Sequence, residues 1–152
     1  MSDPRAMKAT QAALMASADD SEATFYEALQ QGDLERLMSV WADDDEIACV
    51  HPGGPRVVGS AAIRAAFTAI FVNGPVHVTL QQVRRLETET CAVHHVLERV
   101  QVMTPEGLQT AYVLATNVFL RTALGWRMVL HHASAGQKHE LQEVAELNTT
   151  LH

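Results

Sequence analysis

Four segments decide the fold: VHVTLQQVRR at 76–85, CAVHHVLERVQVM at 91–103, LQTAYVLATNVFLR at 108–121 and WRMVLHHAS at 126–134. Each is rich in β-branched and apolar residues, and the breaks between them are hairpin-sized: Glu87-Thr88-Glu89-Thr90, Thr104-Pro105-Glu106-Gly107 and Thr122-Ala123-Leu124-Gly125. They predict an antiparallel meander of four long strands.

Upstream of the meander the period changes to that of a helix. Ser21 is placed to cap a helix with Phe25, Ala28 and Leu29 on one face, stopped by Gly32. Asp33 caps a second, with Leu34, Leu37, Met38 and Trp41 on one stripe before the acidic run Asp43 to Glu46, which reads as a solvated turn. Ile47 to Val50 predicts a short strand, and His51-Pro52-Gly53-Gly54-Pro55 a rigid loop leading to Arg56-Val57-Val58-Gly59. Ser60 is placed to cap a third helix with Ile63, Ala66, Phe67, Ile70 and Phe71 inward, ended by Asn73-Gly74-Pro75. The expected plan is α+β, with three N-terminal helices packed on a strongly curved, mainly antiparallel sheet. The predicted division is an N-terminal extension over 1–19, one domain over 20–136, and a tail over 137–152 with a short helix on Leu141, Val144 and Ala145. Ala12 to Ala18 is rich in alanine and methionine and reads as helix in place of a cleavable leader.

The 152 residues carry 11 Lys+Arg against 18 Asp+Glu, a formal net charge of −7 with histidine neutral. An acidic chain without a basic cluster lacks the electrostatic footprint of a nucleic-acid or anionic-membrane binder. Its longest apolar runs fall far short of the ~20 residues that cross a bilayer. Cys49 and Cys91, each in a strand-like run and outside any CxxC pair, read as buried free thiols in a reducing cytoplasm.

The motifs Gly32-Asp33-Leu34, Trp41-Ala42-Asp43-Asp44, His51-Pro52-Gly53-Gly54, Val58-Gly59-Ser60-Ala61-Ala62-Ile63, Ala115-Thr116-Asn117-Val118-Phe119 and Gly125-Trp126-Arg127-Met128-Val129 carry a resemblance to the nuclear transport factor two-like superfamily, best to its SnoaL-like branch. The resemblance spans roughly 20–135. It implies a cone-shaped, cystatin-like roll with a pocket between the helices and the concave face of the sheet, and a homodimer through the sheet. It fixes no reaction, because the superfamily holds isomerases, cyclases, dehydratases and assembly domains.

Ketosteroid isomerases place an aspartate base before a proline after the first strand, and His51 before Pro52 resembles that position. Their oxyanion-binding tyrosine and acid are matched by Phe25 and Asn117, so one donor is lost and the other becomes an amide. The association domain of calcium/calmodulin-dependent protein kinase type two ends its last strand as His132 and Ser134 do here. The arginines of its pocket fall at Glu98 and Asn117, so that anion site is not retained.

Strand alternation puts His94, Val96 and Glu98 on one face, Val113, Ala115 and Asn117 on another, and Met128, Leu130, His132 and Ser134 on a third. His51, Glu98 and Asn117 are the expected acid-base group: His51 moves the proton, Glu98 orients it and Asn117 donates to an oxygen. Phe25, Trp41, Phe67, Phe71, Val113, Ala115, Leu130 and His132 are the expected pocket lining. The bland alternatives are a loop-bonded His51, Glu98 paired with Arg84, Arg99 or Arg127, and a core amide at Asn117. Adjacent histidines at 94–95 and 131–132 point to opposite faces, so neither doublet chelates a metal, and no metal or cofactor is expected. The expected partner is a small apolar molecule bearing a carbonyl or hydroxyl, processed by isomerisation, cyclisation or dehydration. The alternative is a non-enzymatic ligand-sensing or assembly module.

Overall fold

A computed structural model describes residues 15–136. The first fourteen residues of the expected extension, and the tail with its predicted helix, lie outside the described residues. Three helices, α1 (Ala18–Gln31), α2 (Leu34–Ser39) and α3 (Ser60–Phe71), pack on six strands: β1 (Ala48–Val50), β2 (Arg56–Val58), β3 (His77–Glu87), β4 (Cys91–Thr104), β5 (Gly107–Thr122) and β6 (Gly125–Gly136). The strand order is β2-β1-β6-β5-β4-β3. Every pairing is antiparallel except β1 with β6, which are parallel. Among the described residues, no helix is long and apolar enough to cross a membrane.

Two helices begin where the sequence did not place them. The cap of α1 is Ser17, whose hydroxyl accepts the Asp20 N–H at 3.0 Å, with Asp19 and Asp20 favourably placed in the first turn. Ser21 is one turn inside and donates to the Trp126 carbonyl. The cap of α3 is Gly59, at φ 89°, ψ 160°, a conformation closed to side-chain-bearing residues, so Ser60 is the first helical residue. Asp33 caps α2 as expected, and Trp41 lies beyond that helix, bridged to Met128.

The buried stripe of α1 holds Phe25, Ala28 and Leu29. It also holds Glu22 and Tyr26, 3% and 5% exposed, which puts a carboxylate and a phenol into the core. Gly32 ends α1 at φ 66°, and its N–H bonds back to Ala28 and Leu29. Gly32→Ala forces a side chain into the left-handed region, where the built Cβ also meets Pro75 at 3.5 Å. Its expected cost is about 1 kcal/mol, read as a lower urea midpoint at unchanged m.

One irregularity decides which side chains enter the interior. Val118 of β5 pairs with Leu130, but Phe119 pairs with Met128, so Val129 is an extra residue in β6. Met128 faces inward at 0% exposure, and beyond the bulge the parity reverses, so His131 faces inward and Leu130 and His132 face out.

Candidate functional site

The register sets His94, Asn117 and His131 side by side on β4, β5 and β6, on the concave face. One residue along, His95, Thr116 and His132 form the matching row on the convex face. Each histidine doublet therefore contributes one ring to the core and one to the outer surface.

The inner row meets α1 in a closed hydrogen-bond network. Asn117 Nδ2 donates to Glu22 Oε2 at 3.1 Å and to Tyr26 Oη at 3.0 Å. Tyr26 in turn donates to Glu98 Oε2 at 2.6 Å. Asn117 Oδ1 lies 2.6 Å from His131 Nδ1. Because the amide nitrogen faces a carboxylate and the amide oxygen can only accept, His131 carries its proton on Nδ1. Asn117 is fully buried and uses both donors and its carbonyl oxygen.

Glu98 and Asn117 are thus brought together, with Tyr26 between them. Tyr26 was not among the expected residues: its neighbour Phe25 is a core residue, edge-on to Phe67 at 5.9 Å, and the hydroxyl that joins the network lies one position further along α1. None of the arginines weighed for Glu98 reaches it. Arg84 pairs across from His95 on the convex face, Arg99 follows the same parity opposite Thr79 and Tyr112, and Arg127 donates to the Ser39 and Leu124 carbonyls.

His51 faces the same interior from the loop after β1. Its ring lies 5.0 Å from that of Phe67 and 5.8 Å from that of His131, and its Nε2 is 3.8 Å from Cys49 Sγ. It makes no hydrogen bond to Glu98, so the expected orienting carboxylate is not its partner. Of the predicted lining, Val113 and Ala115 face inward opposite Glu98 and Val96. Phe25, Phe67 and Trp41 are buried in the core, and Phe71 is half-buried at its edge. Leu130 and His132 instead line a groove of about 410 Å³ on the convex face, with His95, Thr116 and Ser134.

The environments separate the titrations. Burial pushes the Glu98 carboxyl up to about 7, the Tyr26 hydrogen bond opposing and the Glu22 charge adding. Burial lowers His51, and it pulls His131 down to about 3 with help from the charges of His51 and His132. Both rings are neutral bases near neutral pH, and Glu98 is poised to hold or release a proton there. Cys49 is buried, its thiol pushed up to about 12 by burial and the Glu98 charge, and Cys91 is half-buried; both are free.

A cavity of about 650 Å³ lies between the end of α3, the start of β3 and the last part of β4, lined by residues including Ile70, Asn73, Val76, His77, Val100 and Met103. Val100 is two residues from Glu98 on the same face of β4, and the volume is in the range of small-molecule sites. At the other end of the network, His94 lies between Glu22 and Glu87. Its Nε2 is 3.0 Å from Glu87 Oε1, and its Nδ1 is 3.0 Å from Glu22 Oε2 but off the line of a directed hydrogen bond. Burial disfavours the charged ring of His94, and the close Glu22 carboxylate, the Glu87 hydrogen bond and the Asp19 charge outweigh it, so its pKa is raised.

Sequence reasoning missed Glu22, Tyr26 and His131. The first two had a signal, since they sit four apart on the apolar stripe of α1, whereas His131 was concealed by the bulge.

A curved sheet wrapped on a helical layer, with a polar network at its centre, is the cystatin-like α+β architecture. The SnoaL-like domain model matches residues 21–137, and the chain belongs to that family. A Thiobacillus denitrificans protein described as a proposed calcium/calmodulin-dependent protein kinase type II association domain is 34% identical, with TM-score 0.74 over 82% of this chain and 98% of that one. A proposed dehydratase of the NTF2-like family from Streptomyces avermitilis is 29% identical, with TM-score 0.70 over 86% and 97%. The calcium/calmodulin-dependent protein kinase II hub of S. rosetta shares the fold at 22% identity and TM-score 0.62, over 77% and 92%. A search of curated proteins finds no match.

Proposed function

We propose that the interior binds a small apolar molecule bearing a carbonyl or hydroxyl, and that Glu98 and His51 move a proton on it. The observation that carries this reading is Glu98. A carboxyl 7% exposed, bonded to Tyr26 and to no cation among the described residues, is an unusual thing to keep in an apolar core. Its proton affinity near neutrality suits acid-base work on a carbon acid or an alcohol. In this reading the ligand enters by the cavity at Val100. Protonated Glu98 donates to the ligand oxygen, neutral His51 takes or returns the proton, and Asn117 holds Tyr26 and His131 in place. Isomerisation, cyclisation and dehydration all need this pair of roles.

The test is a screen of apolar ketones, enones and alcohols by protein-observed NMR, followed by turnover of the molecule that binds. Shifts at His51, His131 and Val100, with Glu98→Gln and His51→Ala each losing ~10²–10⁴ in rate, are the expected results. Near-full activity in both variants overturns the proton-moving role, and shifts confined to the convex face overturn the site.

A second reading is an assembly module. It draws on the 34% identity to the proposed association domain and on the convex groove at His95, Thr116 and His132. Light scattering tests it: a closed ring of more than two copies favours the second reading, and a discrete dimer leaves both standing.

A further inference from the structure

Between the segment that follows α2 and the β5–β6 hairpin lies a second cavity, of about 320 Å³. Leu120, Ala123, Leu124 and Val129 give it apolar walls, and Trp41 and Arg127 also line it. Val129 is the extra residue of β6, so the bulge that turns His131 inward also shapes this cleft. We infer that the cleft binds a small monocarboxylate with an apolar body, an aromatic or short-chain acid.

Two buried donors are left over there. Trp41 and Arg127 are 4% and 8% exposed, yet Trp41 Nε1 and Arg127 Nε have no hydrogen-bond partner among the described residues. The two residues are held side by side, because Trp41 bridges to Met128, the neighbour of Arg127. Buried N–H groups are seldom left without an acceptor. An indole and a guanidinium can only donate, so the group that satisfies both must accept.

Charge narrows the ligand further. The Arg127 guanidinium keeps its proton and donates to the Ser39 and Leu124 carbonyls, which bring it no negative charge. Among the described residues the arginines in ion pairs are Arg36, Arg64 and Arg85, so Arg127 is a buried cation without a counter-ion. Burial alone accordingly holds its pKa below the ordinary value. Asp43 and Asp44 line the cleft but are exposed, and Asp44 Oδ1 accepts the Glu46 N–H. A ligand carboxylate supplies both the acceptors and the missing charge, and the apolar walls take the rest of the molecule. The two rim aspartates repel further negative charge, which selects a monoanion.

The test is heteronuclear NMR on the full chain, read at the indole N–H signal of Trp41. The chain has two tryptophans, Trp41 and Trp126, and Trp126→Phe assigns their signals. Phenylacetate and octanoate are titrated in turn, with phenylethanol and inorganic phosphate as controls. At least one of the acids is expected to move the Trp41 signal saturably, phenylethanol to bind about 10-fold more weakly or worse, and phosphate to leave the signal in place. Arg127 also holds two carbonyls of the fold, so the variant is Leu124→Glu at the rim, where the side chain is 41% exposed. It offers Arg127 a carboxylate of the protein's own and, checked for folding by circular dichroism, is expected to weaken acid binding about 10-fold or more. A Trp41 signal that neither acid moves overturns the proposal. So does phenylethanol binding as tightly as the acids, acid binding unchanged in Leu124→Glu, or acid-induced shifts confined to His51 and His131. A phosphate response equal to that of the acids marks an adventitious ion only and overturns it too. None of these outcomes depends on the interior ligand.

Discussion

Asn117→Leu is expected to destabilise the protein by about 3–5 kcal/mol, measured by urea unfolding at pH 7. Leucine fills a similar volume, so little of the loss comes from a cavity. The loss comes from three polar groups left in the core. The Glu22 carboxylate loses its directed donor, the Tyr26 oxygen loses the N–H it accepts, and the His131 N–H loses its acceptor. Each buried orphan costs about 1–3 kcal/mol, and the sum is a large share of a stability of about 5–15 kcal/mol. Asn117→Asp tests the same junction by charge: it sets a second acid against Glu22 Oε2, so its loss is expected to grow as pH rises. A loss below about 1 kcal/mol for Asn117→Leu would mean that the network contributes nothing to the fold.

The fold was legible because it is written in patterns that tertiary structure reinforces. The four β-rich segments, the breaks between them and the Asp33 cap stand within a few residues of their expected places. Helix starts were less legible: α1 is capped by Ser17, a turn before the expected Ser21. Ser17 prevails over Ser21 because Asp19 and Asp20 then occupy the first turn. The site was half legible. Glu98 and Asn117 followed from strict alternation on β4 and β5, whose mutual register is unbroken from Cys91 to Thr104. On β6 alternation was misleading, since one extra residue at Val129 exchanges His131 for His132. On α1 neighbouring residues are about 100° apart, so a broad buried stripe admits both Phe25 against α3 and Tyr26 against the sheet. Nothing in the periodicity of α1 says which of the two joins the polar network; that is decided by Glu98 and Asn117 on distant strands.

The pH dependence of stability is expected to isolate Glu98. Burial raises its carboxyl from the ordinary 4.5 to about 7 in the folded protein. A raised acid holds its proton more tightly when folded, so its stabilising contribution is complete below the unfolded value and is lost as pH climbs through 7. The change is about 3 kcal/mol across that window. His131 runs the other way. Its pKa falls from 6.5 to about 3, so its contribution is complete above the unfolded value and is lost as pH drops toward the folded one. Between about pH 4.5 and 6.5 the two slopes, each about 1.4 kcal/mol per unit, oppose one another. The wild-type profile is therefore expected to be nearly flat there. Glu98→Gln removes one slope, and the variant is expected to gain about 2–3 kcal/mol from pH 4.5 to 6.5, measured by urea unfolding in steps of half a unit. His51 and His94 titrate in both proteins and largely cancel in the difference. Parallel profiles would mean that Glu98 is ionised throughout, and the proposed chemistry would then lose its proton donor while the buried network kept its structural role.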